Sequence, residues 1–258
     1  LLQTVPKESS FVLSMNPADL AKKAGKGQSK KDASGAEIQK ISSLLSGKSG
    51  IDPRRLVVFA YEGKMWATFA VDDEDDLKTS LEMNEASDVQ GFKVLESGGL
   101  RVLVADGQGW LVEGNNTDYF AEKCKMFASL DEEGSVTALP QFSKNMQGSD
   151  INGFVNMPVV WPQVMQEMLL RASAGPIDSP EFKILGGSYC FLATNFEKND
   201  IRLTARLVDK DGNNVIGKLN PGKLDADILR YFDKNTSMVF AMSAPRHMLD
   251  IFGRLMGE

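Results

Sequence analysis

The sequence predicts an α+β fold, with mixed or antiparallel sheets carrying helices on one face, arranged as two ferredoxin-like (β-α-β-β-α-β) repeats. Three observations lead there. FVLSMNPADL from Phe11, FVNMPVVWPQVM from Phe154 and MVFAMSAPRHML from Met238 share one pattern, an apolar run, a Met and a Pro-containing helix start. RLVVFAYEGKMWATFAV from Arg55 and FLATNFEKNDIRLTARLV from Phe191 both alternate and break in the middle, as hairpins do. A helical stretch follows each hairpin, DDEDDLKTSLEM after the first and PGKLDADILRYF after the second.

Each element has a local cause. In the three strand-to-helix segments the apolar run ends in Ser14-Met15, Asn156-Met157 or Ala241-Met242, and Pro17, Pro162 or Pro245 falls near the first helical turn, where a missing N–H costs little. Met15, Met157 and Met242 are expected to be equivalent core residues, because an unbranched thioether fills the gap where a chain leaves a sheet. The first hairpin turns at Glu62-Gly63-Lys64 and the second at Lys198-Asn199-Asp200. GFKVLE from Gly91 and SMVFAM from Ser237 close the two repeats as strands. The first repeat adds the strands LRVLVA from Leu100 and GWLVEG from Gly109, joined through Asp106-Gly107, and a helix in TDYFAEKCKMFASL. The expected units are residues 1–135 and 136–258, the third strand-helix segment also resembling the opening of a further copy. Lys22 to Glu37, rich in Lys, Gly and Ser, reads as a mobile surface loop that trypsin cuts first near Lys30-Lys31.

Composition narrows the function. Of 258 residues 42% are hydrophobic and 25% charged, enough for a substantial core. A net charge of -6 argues against nucleic acid, whose phosphates need a basic surface. No apolar run approaches the roughly 20 residues of a membrane helix, and LLQTVPKESS lacks the features of a signal peptide. Cys124 shares a helical face with Phe120 and Phe127, and Cys190 alternates with Leu192 on a strand. Both read as free buried thiols, with a disulfide as the alternative.

The motifs mostly have structural explanations. Gly47-Lys48-Ser49 lacks the upstream Gly and the preceding strand of a phosphate-binding loop. Asp209-Lys210-Asp211-Gly212 echoes a calcium loop, but Asn220 stands where the twelfth-position Glu belongs, so a turn is simpler. Asp72 to Asp76 is the densest acidic run and sits where a helix N-terminus favours negative charge. His247, the single histidine, flanks an apolar helical stripe and excludes sites needing two His ligands. Of the three tryptophans, Trp110 follows a turn and is expected to be the most exposed, while Trp66 and Trp161 read as a strand residue and a helix start. The candidate ligand-binding residues are therefore Trp110 with Asp72, Asp73 and Asp75. No catalytic residue, metal site or cofactor is assigned.

VPKESSFVLSMNPADLAKKAG resembles the start of Bacteroidetes lipoproteins of domain-of-unknown-function family 4836, and KSGIDPRRLVVFAYEGKMWATFAV, DDLKTSL and LRYFDKNTSMVFAMS fit the same pattern over most of the chain. The resemblance implies export, a lipid anchor on a cysteine upstream of Leu1, and location at the outer membrane. The resulting expectation is a non-enzymatic extracytoplasmic binding or structural protein of a Gram-negative cell envelope. Its partner is an envelope protein, a peptide or a glycan, and membrane association runs only through the anchor. The alternative is a carboxylate-dependent hydrolase or carbohydrate-active enzyme using the Asp72–Asp76 run.

Overall fold

A computed structural model describes residues 1–24, 49–171, 179–197 and 200–219. The protein is α+β. After a 3-10 turn at Leu2–Thr4 come β1 (Phe11–Met15), α1 (Pro17–Ala24), β2 (Ile51–Tyr61), β3 (Lys64–Val71), α2 (Glu74–Ser80), β4 (Asn84–Val89), β5 (Phe92–Ser97), β6 (Leu100–Ala105), β7 (Gln108–Glu113) and α3 (Thr117–Ala128). A second 3-10 turn (Val136–Ala138) leads to α4 (Phe142–Asn145), β8 (Ile151–Asn156), α5 (Met157–Arg171), α6 (Pro180–Gly186), β9 (Tyr189–Phe196), β10 (Ile201–Val208) and α7 (Ile216–Leu219). The strands form one ten-stranded sheet in the order β10-β9-β8-β1-β2-β3-β7-β6-β5-β4. Pairing is antiparallel from β8 through to β4.

Local chemistry explains the expected elements. The β2–β3 turn has Glu62 and Gly63 both at positive φ, 48° and 72°, the two-residue geometry that matches the twist of hairpin strands. Asn16 caps α1 by accepting from the Asp19 N–H, Pro17 takes the first helical position, and Asp19 accepts back from Asn16 Nδ2. Lys22 and Lys23 belong to this helix and not to the surface loop predicted there; the rest of that loop, Lys30-Lys31 included, lies outside the described residues. Residues 221–258, with the second expected helix, the strand at Ser237, Met242 and His247, lie outside them as well.

The registers set an apolar row across one face of the sheet. Phe154, Val12, Phe59, Trp66 and Val112 are successive cross-strand partners on β8, β1, β2, β3 and β7. Helix α3 covers this row: Phe127 meets Phe59 and Trp66 edge-on at 5.4 and 5.1 Å, and Phe120 meets Trp66 at 5.7 Å. Phe142 of α4 packs on Phe154 at 5.0 Å. The opposite face has its own core, Phe69, Leu95, Val102 and Val104 closed by Leu77 of α2 and by Met83. Helices thus lie on both faces, which corrects the expectation of one. The cause is visible in β6, where Val102, Leu103 and Val104 are buried in succession; a strand apolar on both sides must be covered twice.

Two compact units are present: Leu1–Asn156 with Cys190–Ala205, and Met157–Tyr189 with Arg206–Glu258. Hydrogen bonding of β8 to β1 places the start of the expected second unit in the sheet of the first. In the smaller unit Trp161 of α5 packs on Phe182 of α6 at 5.4 Å. Pro162 falls inside α5, which begins at Met157, and not near its first turn as expected. Asp209 Oδ1 accepts from the N–H groups of Asp211 and Asn213 and closes a turn. Met15 and Met157 are half-buried and not core residues. Cys124 and Cys190 are free thiols, Cys124 buried and Cys190 half-buried; burial pushes both thiols above their ordinary range.

Candidate functional site

Beside the phenylalanine row runs a second row on the same face. Its partners, strand by strand, are Asn152, Ser14, Val57, Thr68, Trp110, Leu103 and Val94. At its β8–β1–β2 end the row opens into a cavity of about 610 Å³, a size typical of small-ligand sites. Ser14, Val57 and Asn152 line it from the sheet, with Leu2 of the first turn and Met146 after α4 adding apolar surface. The first turn is tied to the same row. Gln108 Nε2 donates to Thr4 Oγ1 at 2.9 Å and to Thr68 Oγ1 at 2.7 Å.

Asn152 is the unusual member. It is 5% exposed. Its Nδ2 donates to the Ser149 carbonyl at 3.1 Å, and its Oδ1 has no partner. A carbonyl only accepts, so the amide orientation is fixed. An acceptor buried this way costs about 1–3 kcal/mol unless something donates to it.

Arg54 and Arg55 line the cavity together. Successive residues of a regular strand point to opposite faces, so the pair depends on the irregular start of β2. There Ile51 faces Val71 while Leu56 already faces Phe69, five residues of β2 being spent against two of β3. Such bulges re-aim side chains. Arg54 is engaged: its Nε and Nη2 donate to the two Asp52 carboxylate oxygens at 2.8 Å each, and these bonds hold the Asp52 carboxyl below its usual range. Arg55 is exposed and makes no ion pair among the described residues.

The loop Met146–Ser149 that borders the cavity is fastened at Asp150. Its carboxylate, 11% exposed, accepts from Lys23 Nζ at 2.6 Å and from the Phe196 N–H at 2.7 Å. Lys23 first, then the Phe196 N–H, holds this carboxyl below its ordinary value. A depressed folded pKa contributes stability at pH above the unfolded value, about 3.9, and loses it as pH falls through the folded one. The parent is therefore expected to lose thermal stability below about pH 4. Asp150→Asn should start lower at pH 7 and show a shallower acid slope in melting scans; equal slopes would show that this pair does not couple folding to pH.

The sequence-predicted residues are placed elsewhere. Asp73 caps α2 by accepting from the Asp76 N–H at 2.9 Å, and Asp72 and Asp75 are exposed beside it. The run thus serves the helix terminus, on the face opposite Trp110, and lines none of the described cavities. Among the described residues no three His, Cys, Asp or Glu side chains gather as a metal site. Trp110 is 2% exposed, which corrects the expectation of an exposed turn residue. It sits three positions after Gly107, already in the strand, and meets Phe92 edge-on at 5.8 Å. Trp110 lines a smaller cavity of about 350 Å³ with Gln108 and Lys125, its Nε1 unpartnered. Asn152 and Arg55 were missed. The available signal was polar residues, Ser14 and Asn152, at strand positions that alternation assigns to the covered face.

No protein-family model matches the chain, and no curated protein matches it. Among solved structures it is similar to three crystal forms of TP0453. Form I is 12% identical with a TM-score of 0.46, over 98% of this chain and 97% of that one. Form III is 10% identical with a TM-score of 0.47, over 87% and 88%. Form IV is 11% identical with a TM-score of 0.46, over 80% and 79%.

Proposed function

We propose that this chain is a non-enzymatic binding protein of a Gram-negative cell envelope, and that its ligand occupies the cavity between β8, β1 and β2. One observation carries the site: the largest of the described cavities sets the exposed Arg55 and the polar Ser14 and Asn152 beside apolar Leu2, Val57 and Met146. Export and a lipid anchor rest on the resemblance of the opening stretch to the lipoprotein family. The hydrolase alternative gains nothing from the acidic run, whose position serves α2. The repeat also belongs to this reading. The β-α-β-β order occurs as β1-α1-β2-β3 and as β8-α5-β9 followed by β10, with α6 added, and both opening strands meet at the antiparallel β1–β8 pair. We read this as one ferredoxin-like unit written twice.

The test is a titration of isotope-labelled protein with amino acids, short peptides and neutral oligosaccharides. A ligand should shift the side-chain amide signals of Asn152 and the backbone signals of Ser14 and Val57. Asn152→Leu should abolish that response. In ligand-free protein the same change removes an unpaired acceptor but also the Nδ2 bond to the Ser149 carbonyl, two opposing effects that should leave stability within about 1.5 kcal/mol of the parent. Signals that stay still with every compound, or an Asn152→Leu protein that binds like the parent, would remove the cavity as the site.

A further inference from the structure

We infer that the open edge of β10 pairs with the same edge of a second copy of this chain, antiparallel about a two-fold axis at Leu203, so that the sheet continues from one protomer into the next. This surface shares no residue with the cavity and does not depend on it.

Backbone hydrogen bonding defines the edge. Among the described residues β10 ends the sheet. The Glu197 N–H donates to the Asp200 carbonyl at 2.9 Å, so Asp200, and with it Arg202, Thr204 and Arg206, turns its backbone polar groups toward β9. Ile201, Leu203 and Ala205 turn theirs outward. Beyond them the edge is closed: the Leu207 carbonyl accepts from the Val215 N–H at 2.9 Å, and Val208 bridges Asn214. What stays open is Ile201 to Ala205, with Leu203 at its midpoint. A two-fold axis there sets Leu203 against the partner's Leu203 and Ile201 against the partner's Ala205. Every outward group is then used, in about six hydrogen bonds.

The side chains agree. Ile201 and Leu203 are 63% and 73% exposed, large apolar groups on one face of a strand whose other face carries Asp200, Arg202, Thr204 and Arg206. The far edge of the sheet is built differently. Strand β4 is polar, carries Glu85 and Asp88 and has an irregular register, the features that discourage edge pairing. Counting back from the Glu197–Asp200 bond, Ala205 stands opposite Leu192, another exposed apolar residue. The small Ala205 leaves room beside Leu192 for the partner's Ile201, and symmetry makes that contact twice.

Charge selects the register. About Leu203, Asp200 faces the partner's Arg206. Arg202, beside its own Glu197 at 3.7 Å, faces the partner's Thr204. Sliding by two residues one way sets Arg202 against the partner's Arg202, and sliding the other way sets it against the partner's Arg206. Like charges directly opposite are destabilising. So short a paired segment makes a small interface, and the dimer is weak and concentration-dependent.

Sedimentation equilibrium of the full chain from about 1 μM to about 1 mM reads it. The parent should be monomeric at the low end and dimeric at the high end. Leu203→Lys changes an exposed position, so it should keep the parent's circular dichroism spectrum and stay monomeric throughout. Asp200→Lys should weaken the dimer at least about fivefold. Crosslinking reads the register. Hydrogen-bonded antiparallel partners have Cα atoms about 5.5 Å apart, within reach of a disulfide. Leu203→Cys in a Cys190→Ala background should therefore form a covalent dimer on mild oxidation. Ile201→Cys, displaced from its own copy by roughly 13 Å along the strands, should not. A parent that stays monomeric to about 1 mM leaves the edge to some other partner and overturns the inference, as does a dimer that Leu203→Lys leaves intact. Equal crosslinking by the two cysteine variants overturns the register.

Discussion

Trp66→Ala is expected to lower the stability of the protein by about 3–5 kcal/mol. Trp66 is 1% exposed and lies at the centre of the row that α3 covers. It stacks on Phe59 at 6.4 Å with 12° between ring planes, and Phe120 and Phe127 both stand edge-on to it. Alanine would remove the indole from between two strands and a helix held by those contacts, leaving a void that rigid neighbours cannot close. The indole Nε1 has no hydrogen-bond partner, so the loss is one of packing and not of a polar bond. Trp66→Phe makes the distinction. It keeps one six-membered ring, discards the unpaired N–H with the rest of the indole, and should cost clearly less than the alanine change, under about 3 kcal/mol. Urea unfolding reads both, as a shift in midpoint at constant slope. A Trp66→Ala protein within about 1 kcal/mol of the parent would show that α3 is not seated on this row.

The hairpins and the helix after the first of them were legible because their causes are local. The β2–β3 turn carries its own Glu-Gly pair, and α2 carries its own cap at Asp73. Strand β4 was not legible. Its sequence, Asn84 to Val89, is polar and largely exposed, because it closes the sheet edge, where polar residues discourage further pairing. The two-sided burial of the sheet was missed for a related reason: alternation was taken to mean one covered face, while the continuous apolar run of β6 meant two. Trp110 was misplaced because a turn at Asp106-Gly107 says nothing about what covers the next residues. The site was the least legible part. Asn152, Ser14 and Val57 are far apart in sequence and meet only through the β8–β1–β2 register. The joint placement of Arg54 and Arg55 on one cavity depends on a bulge in β2.

Gly50→Ala is expected to be more damaging than any surface change, at about 4–5 kcal/mol or more. Two costs coincide there. Gly50 has a φ of +70°, a conformation that costs a side-chain-bearing residue roughly 1–2 kcal/mol. A Cβ at this position would also lie 2.0 Å from the Asp73 carbonyl oxygen, 2.3 Å from the Leu77 nitrogen and 2.9 Å from the Leu77 Cα. All three are backbone atoms of the α2 region, and no rotamer change moves them away. The Gly50 carbonyl accepts from the N–H groups of Asp72 and Asp73 at 2.8 and 3.3 Å, so a shift of α2 to make room would break the contacts that start the helix. It would also withdraw Leu77, fully buried, from the second core. Gly63→Ala separates the two costs. Gly63 has nearly the same φ, +72°, and a Cβ there would meet nothing within 4 Å. It should show only the conformational cost, and the difference between the two variants measures how closely α2 approaches Gly50. Equal losses in parallel unfolding experiments would mean that the helix does not sit there, and the acidic run at Asp72 to Asp76 would lose its structural explanation.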